Sequence, residues 1–357
     1  MLFFSVMKDV EILDALQGSG DVVRSLRFHC LRRNGHLLLA LPKDKELALL
    51  TLSLYQPQTS KAKLLAKGLS AMIKLGLHRL LSRLDMQIRS ESAFADFVVG
   101  RHQIGFLLGN PEAEARRAIV LYRDGNALAV AKVGVGEVAT MSVEAEATMI
   151  RSLPKNHAGI PCIRKYSGRD EWYYYSTSLS KGAGPKRGKD GQSLAVLAQW
   201  MKHSEVQKLR ETSVWNLLRS HDRVTESDSY VDFIEGLGGL EIKVGLYHGD
   251  FAPWNIKISD DGEVCVLDWE HARLDGLGGW DWLHYMTQHG ILVSNHSAIE
   301  VLTECRLWAS TSEGRSFLSA AGWGRHTEEW LGSYLMYSAW IAGFERDELL
   351  QAWSEGV

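Results

Sequence analysis

The stretch Tyr247–Glu270 reads YHGDFAPWNIKISDDGEVCVLDWE. Its patterning predicts two short strands, Ile256-Lys257-Ile258 and Val264-Cys265-Val266-Leu267. They are joined by Ser259-Asp260-Asp261-Gly262, the residue types a tight hairpin needs. Three oxygen-bearing side chains stand around it: Asp250, Asn255 five positions on, and Asp268 thirteen beyond that. A hairpin of that length folds Asp268 back beside Asn255. Two oxygen ligands then sit where one hard cation fits, with the Asp250 carboxylate facing the same space.

Working outward, the whole chain has 357 residues and a formal net charge of −3. That length suggests two or three domains or lobes, and the charge gives no electrostatic case for nucleic acid as a partner. Cys30, Cys162, Cys265 and Cys305 show no metal spacing or pairing pattern, which fits a reducing cytoplasm. The start, MLFFSVMKDVEILD, lacks the basic and long apolar regions of a signal peptide. No uninterrupted apolar run approaches the roughly 18 residues of a spanning helix. The expected location is cytoplasmic.

His248-Gly249-Asp250 with Asn255, followed by Leu267-Asp268-Trp269-Glu270, resembles the aminoglycoside phosphotransferase and choline-kinase-like branch of the protein-kinase fold. Protein kinases carry H-R-D-x-x-x-x-N and a downstream metal-binding Asp at the corresponding places. The resemblance runs from about Phe97 into the C-terminal half. It implies an α+β fold of two lobes, a small antiparallel-sheet lobe (96–178) and a mainly helical large lobe (179–357), here preceded by an N-terminal extension (1–95). It implies Asp250 as the residue that orients or deprotonates an acceptor hydroxyl, and Asn255 and Asp268 as holders of Mg²⁺ on the phosphates of ATP. Lys132, in the strand pattern Leu128–Val133, takes the place of the strand-three lysine. Its expected partner is Glu146 rather than Glu144 on the helix predicted over Ser142–Leu153; two residues apart, these acids face different directions. His248 is expected to brace the loop through its ring N–H. Asp281, in GLGGWDWL, braces it through backbone N–H groups, with a helix N-cap as the simpler alternative. Trp254 stacks on a sugar or simply packs, and Glu270 faces the acceptor or a metal-bound water or is structural. The glycine-rich loop is poor: Gly100, Gly105 and Gly109 do not form G-x-G-x-x-G, leaving Gly109–Arg117 as a candidate phosphate loop.

Other segments are read from pattern alone. Val22–Cys30, His36–Leu41 and Leu47–Leu54 suggest a small antiparallel meander, and Phe97–Gly100 and Ile104–Leu108 further strands. Ser193–His203 and Ser204–Leu218 read as helices, as does most of Ser297–Trp353. Lys61–Leu84 is a basic amphipathic helix with Lys61, Lys63, Lys67, Lys74, Arg79 and Arg83 and no acid among them. It could lie weakly on an anionic membrane. Packing on the adjoining lobe with a solvated basic face is preferred, because Gly68 and Gly76 weaken a free-standing helix.

The function so implied is phosphate transfer from ATP to a hydroxyl of a small molecule, a sugar or sugar-containing metabolite. The competing reading, motivated by the degraded glycine loop, is a catalytically silent nucleotide-binding scaffold. A protein kinase is disfavoured: the chain passes almost directly from DWE into GLGGWDWL, with no room for an activation loop or an A-P-E segment.

Overall fold

After helix α1 (Asp9–Gln17), β1 (Val22–Arg33) turns back on β2 (His36–Leu41) through Asn34-Gly35. Both turn residues have positive φ, 51° and 86°, the conformation in which Asn-Gly closes a two-residue hairpin. This is a computed structural model; it describes residues 9–57, 60–98, 103–109, 116–155, 157–169, 171–185, 190–344 and 346–356. Two compact units divide the chain, one containing the residues up to Pro154 plus Pro161–Ser180, the other Lys155–Ile160 plus Lys181–Val357.

The first unit continues with α2 (Lys45–Leu52), α3 (Ser60–Lys74) and β3 (Ser82–Arg89). Then come β4 (Gly105–Leu108), β5 (Arg117–Asp124), β6 (Ala127–Val135), α4 (Glu137–Ser152), β7 (Ile163–Arg169) and β8 (Trp172–Ser178). All eight strands form one antiparallel sheet in the order β3-β1-β2-β4-β5-β6-β8-β7. Residues 1–95 therefore do not make a meander of their own: Leu39 and Ala40 of β2 pair Leu107 and Phe106 of β4. Phe28, Phe94, Phe97, Phe106, Tyr122 and Tyr174 share one core with Ile12 and Leu16 of α1. On the other face α2 and α3 bury Ala48, Leu52, Leu69 and Ile73 against Leu39 and Leu41.

Three local expectations are corrected. Leu47–Leu54 lies mainly in α2, whose N-cap Asp44 accepts the Leu47 N–H at 2.8 Å. The helix expected over Lys61–Leu84 ends at Lys74; a 3₁₀ turn follows at Leu77–Leu80, and the strand β3 takes the rest. Phe97 closes a 3₁₀ turn rather than opening a strand, and Gly100 lies outside the described residues, as does most of the candidate phosphate loop after Gly109.

The second unit contains α5 (Gly191–Lys202), β9 (Glu205–Lys208), α6 (Ser213–Arg219), α7 (Asp222–Thr225), α8 (Asp228–Leu237), β10 (Glu241–Tyr247), β11 (Ile256–Ile258), β12 (Val264–Val266) and β13 (Arg273–Leu277). It closes with α9 (Trp280–Gln288), a π-helical turn at His289–Ser294, and α10 (Ala298–Ser310), α11 (Ser312–Ala321), α12 (Thr327–Trp340) and α13 (Asp347–Ser354). Ser204–Leu218 is a correction too: it opens with β9, the edge of a three-stranded sheet β13-β10-β9, and only then becomes helical. Trp323 and Trp330 are fully buried among the C-terminal helices. No described helix is long and apolar enough to cross a membrane.

Candidate functional site

The loop that leaves β10 is held by a single buried carboxylate. Asp281 lies in the first turn of α9, whose N-cap is Gly279, and its two oxygens turn to the loop. One accepts the His248 N–H at 2.8 Å and the other the Gly249 N–H at 3.0 Å. Burial pushes the Asp281 carboxyl up to about 7, and the two N–H bonds work against that rise. Gly249 has φ +83°, and a Cβ there would stand 2.5 Å from the His271 carbonyl oxygen. Only glycine fits this position without moving backbone.

The next two residues take their orientation from this brace. The Asp250 N–H donates to His248 Nδ1 at 3.2 Å, so the ring proton sits on Nε2 and donates to the Leu267 carbonyl at 3.0 Å. Burial lowers the His248 pKa to about 4, which keeps the ring neutral and this tautomer in place. The ring also packs on Trp269, centroids 4.8 Å apart. His248 thus ties the loop to the strand end that precedes Asp268.

The Asp250 carboxylate is gripped from two sides. Asn255 Nδ2 donates to Asp250 Oδ2 at 2.8 Å and to the Asp250 carbonyl at 2.9 Å. His284 Nε2 stands 2.8 Å from Asp250 Oδ1. An ionised carboxylate only accepts, so the His284 proton is on Nε2 and Nδ1 accepts the Tyr334 hydroxyl at 3.0 Å. The Gln288 side-chain amide lies 3.2 Å from the same Nε2. With the amide turned to present its oxygen there, the contact runs from ring proton to amide oxygen. The His284 side chain is fully buried, and burial lowers its pKa against the opposing pull of Asp250. Asp250 keeps 19% side-chain exposure, and each of its oxygens retains a lone-pair direction for a further donor.

The hairpin β11–β12 pairs Ile256 with Val266, and the Leu267 N–H reaches the Asn255 carbonyl at 2.7 Å. Asp268 follows directly, with φ +67°, a left-handed backbone that few non-glycine residues adopt and that asparagine and aspartate tolerate best. Such strain, on the order of 1–3 kcal/mol, accumulates where a side chain must be aimed. Trp269, fully buried, donates its indole N–H to the Val266 carbonyl at 2.8 Å and anchors the turn. Glu270 Oε1 stands 4.0 Å from His271 Nε2. Trp254 lies half-buried in the 3₁₀ turn Pro253–Asn255.

The donor set suits a hard divalent cation. Both side-chain N–H groups of Asn255 are spent on Asp250, which leaves the Asn255 amide oxygen as an acceptor, and the Leu267 N–H bond to the Asn255 carbonyl brings the backbone of Asp268 alongside. Mg²⁺ is bound through one or two such oxygens plus phosphates and waters, not by an all-protein cage. Among the described residues no group of three or more His, Cys, Asp or Glu is placed to hold a metal.

Lys132 and Glu146 lie in the first unit. Gly134, two residues after Lys132, lets β6 run close under the start of α4: a Cβ there would stand 2.2 Å from the Ala139 carbonyl oxygen. Lys132 Nζ meets Glu146 Oε2 at 2.5 Å, with side-chain exposures of 11% and 0%. Glu144 is exposed.

No motif in the sequence marks His284, Tyr334 or Gln288. The available signal was a histidine one helical turn after Asp281, inside the otherwise apolar run WDWLHYM.

No protein-family profile and no curated protein matches the chain. Among solved structures it is similar to aminoglycoside phosphotransferase APH(4)-Ia, at 14% identity over 73% of this chain and 93% of that one, with TM-score 0.47. It is similar to choline kinase LicA from Streptococcus pneumoniae at 14% identity over 70% and 91%, TM-score 0.41. A third, aminoglycoside phosphotransferase APH(3'')-Id from Streptomyces rimosus, gives 15% identity over 65% and 90%, TM-score 0.38.

Proposed function

We propose that this protein transfers the terminal phosphate of ATP to a hydroxyl of a small molecule, a sugar or sugar-containing metabolite. The observation that carries the reading is the Asp250 carboxylate, held by Asn255 Nδ2 and His284 Nε2 at 2.8 Å each while remaining partly open. A carboxylate so fixed aligns an acceptor hydroxyl and receives its proton as the new P–O bond forms. His284 is a positioning residue: it acts on the reaction through Asp250. Asn255 Oδ1 and the Asp268 carboxylate would hold Mg²⁺, which when bound neutralises charge on the phosphates. Lys132, kept extended by the buried Glu146, would grip the earlier phosphates of the nucleotide. His248 and Asp281 keep the loop in place without touching the reacting atoms, and Glu270 would face the acceptor or a water on the metal.

The scaffold alternative keeps a specific motivation, the poor glycine loop. Turnover of Mg·ATP against a panel of hydroxyl compounds separates the two, with Asp250→Ala and Asp250→Asn as controls. Phosphorylation of a panel member by the wild type, lost in both variants while nucleotide binding persists, supports the transferase. Nucleotide binding with hydrolysis no greater than that of Asp250→Ala assigns the scaffold role instead.

A further inference from the structure

Helix α3 and the turn after it are packed on the sheet, yet they present apolar side chains to solvent. Leu69 and Ile73 are the buried anchors. Directly opposite, at helical spacings of four, seven and eleven, run Leu64, Gly68, Ala71 and Leu75. Leu75 stays in register through its N–H to the Ala71 carbonyl at 3.1 Å. Leu64 is 73% exposed and Leu75 71%, and Leu80 in the following 3₁₀ turn is 80% exposed. Lys61 flanks this stripe on one side and Lys63, Lys67 and Lys74 on the other, all exposed. Arg79 and Arg83 continue the charge, and Lys45 joins it by donating to the Lys74 carbonyl at 3.3 Å. Of the acids next to Lys45, Asp44 caps α2 and Glu46 lies beside Arg123.

We infer that this face of α3 lies on an anionic lipid surface, with Leu64, Leu75 and Leu80 dipping into the headgroup boundary and the lysines reaching lipid phosphates. The inference does not depend on the proposed reaction. An apolar line bordered on both sides by lysines, on a helix parallel to the surface it meets, is the arrangement of an interfacial helix. The stripe is narrow, with Leu65 (52% exposed) beside it, which suits insertion into lipid; a stable protein partner needs about 800 Å² of complementary surface on each side. This reverses the preference reached from sequence, because packing and an exposed apolar stripe occur on the same helix.

The test is sedimentation of the full chain with vesicles of phosphatidylcholine, alone or with about one third phosphatidylglycerol. Binding to the mixed vesicles only, weakened by salt at about 0.5 M, is expected. Lys67→Glu with Lys74→Glu should weaken it by about fivefold or more per residue, and Leu64→Ser with Leu75→Ser by about tenfold. All four positions are exposed, so thermal unfolding should be unchanged. Equal sedimentation with neutral vesicles, or binding that survives both double changes, overturns the inference. So does a lipid-free dimer dissolved by Leu64→Ser with Leu75→Ser, which assigns the face to a second copy of the chain.

Discussion

His284 offers the sharpest test of how Asp250 is set. Replacing it removes the donor 2.8 Å from Asp250 Oδ1 and the acceptor 3.0 Å from the Tyr334 hydroxyl. A hydrogen bond to a charged group is worth about 1.5–3 kcal/mol. If that energy orients the carboxylate for proton acceptance, its loss lowers kcat by roughly 10- to 100-fold, at about 1.4 kcal/mol per factor of ten. KM for ATP should stay nearly constant, since nothing in the grip on the nucleotide is assigned to His284. The ring also touches Phe344, centroids 4.7 Å apart, so deletion alone would confound packing with orientation. The informative pair is therefore His284→Gln and His284→Leu, of similar bulk. Gln places an amide N–H close to the position of Nε2, whereas Leu offers no donor. The assay is steady-state ADP release with an acceptor that supports turnover, across pH 5 to about 9, each variant checked by thermal unfolding. Gln recovering most of the wild-type kcat, with Leu at the low end, is the expected result. Equal kcat for Gln and Leu at equal folded fraction would refute a role through Asp250.

Glu146→Gln should raise KM for ATP several-fold with a small cost in stability. Lys132→Met should cost more in unfolding free energy, about 3–5 kcal/mol, because it removes the cation beside the fully buried Glu146; titration calorimetry with Mg·ATP and chemical denaturation check the two. Gly249→Ala should lose about 1–3 kcal/mol and most activity, since its Cβ would press on the His271 carbonyl; an unchanged melting curve would contradict the assigned φ. The folded-state pKa of His248 is depressed to about 4, so its contribution is full above the unfolded value near 6.5 and is lost as pH falls towards 4. That is on the order of 3 kcal/mol. Asp281, raised to about 7, runs the opposite way over about 4 to 7. The readout is therefore the difference between wild type and His248→Asn in denaturant unfolding: it should narrow from pH 7 to 4, and a constant difference would count against the assignment.

The hairpin around Asp268 was legible because its information is local: two short strands, a Ser-Asp-Asp-Gly turn and fixed offsets leave one register. Lys132 and Glu146 were legible for a different reason, the placement of a strand lysine before a helix with two candidate acids, of which only Glu146 is buried. What failed was non-local or ambiguous in period. The apolar run Leu47–Leu54 fits a strand as well as a helix, and the deciding signal was Asp44 at the cap. In Ser82–Arg89 the alternation of Leu84, Met86 and Ile88 was masked by the helical pattern running into it. His284 meets Asp250 across 34 positions, a distance no period can bridge.

The join between Leu39-Ala40 and Phe106-Leu107 bears on where this protein can be divided. Cut before Asp96, the remainder would expose β4 as a raw strand border and strip Phe28 from the face of Phe106, whose rings lie 5.2 Å apart. Such an open, apolar border templates association with other chains. The segment Asp9–Arg89 is thus no detachable appendix: its strands share one sheet and one core with the strand that holds Lys132, so removing it should destabilise both.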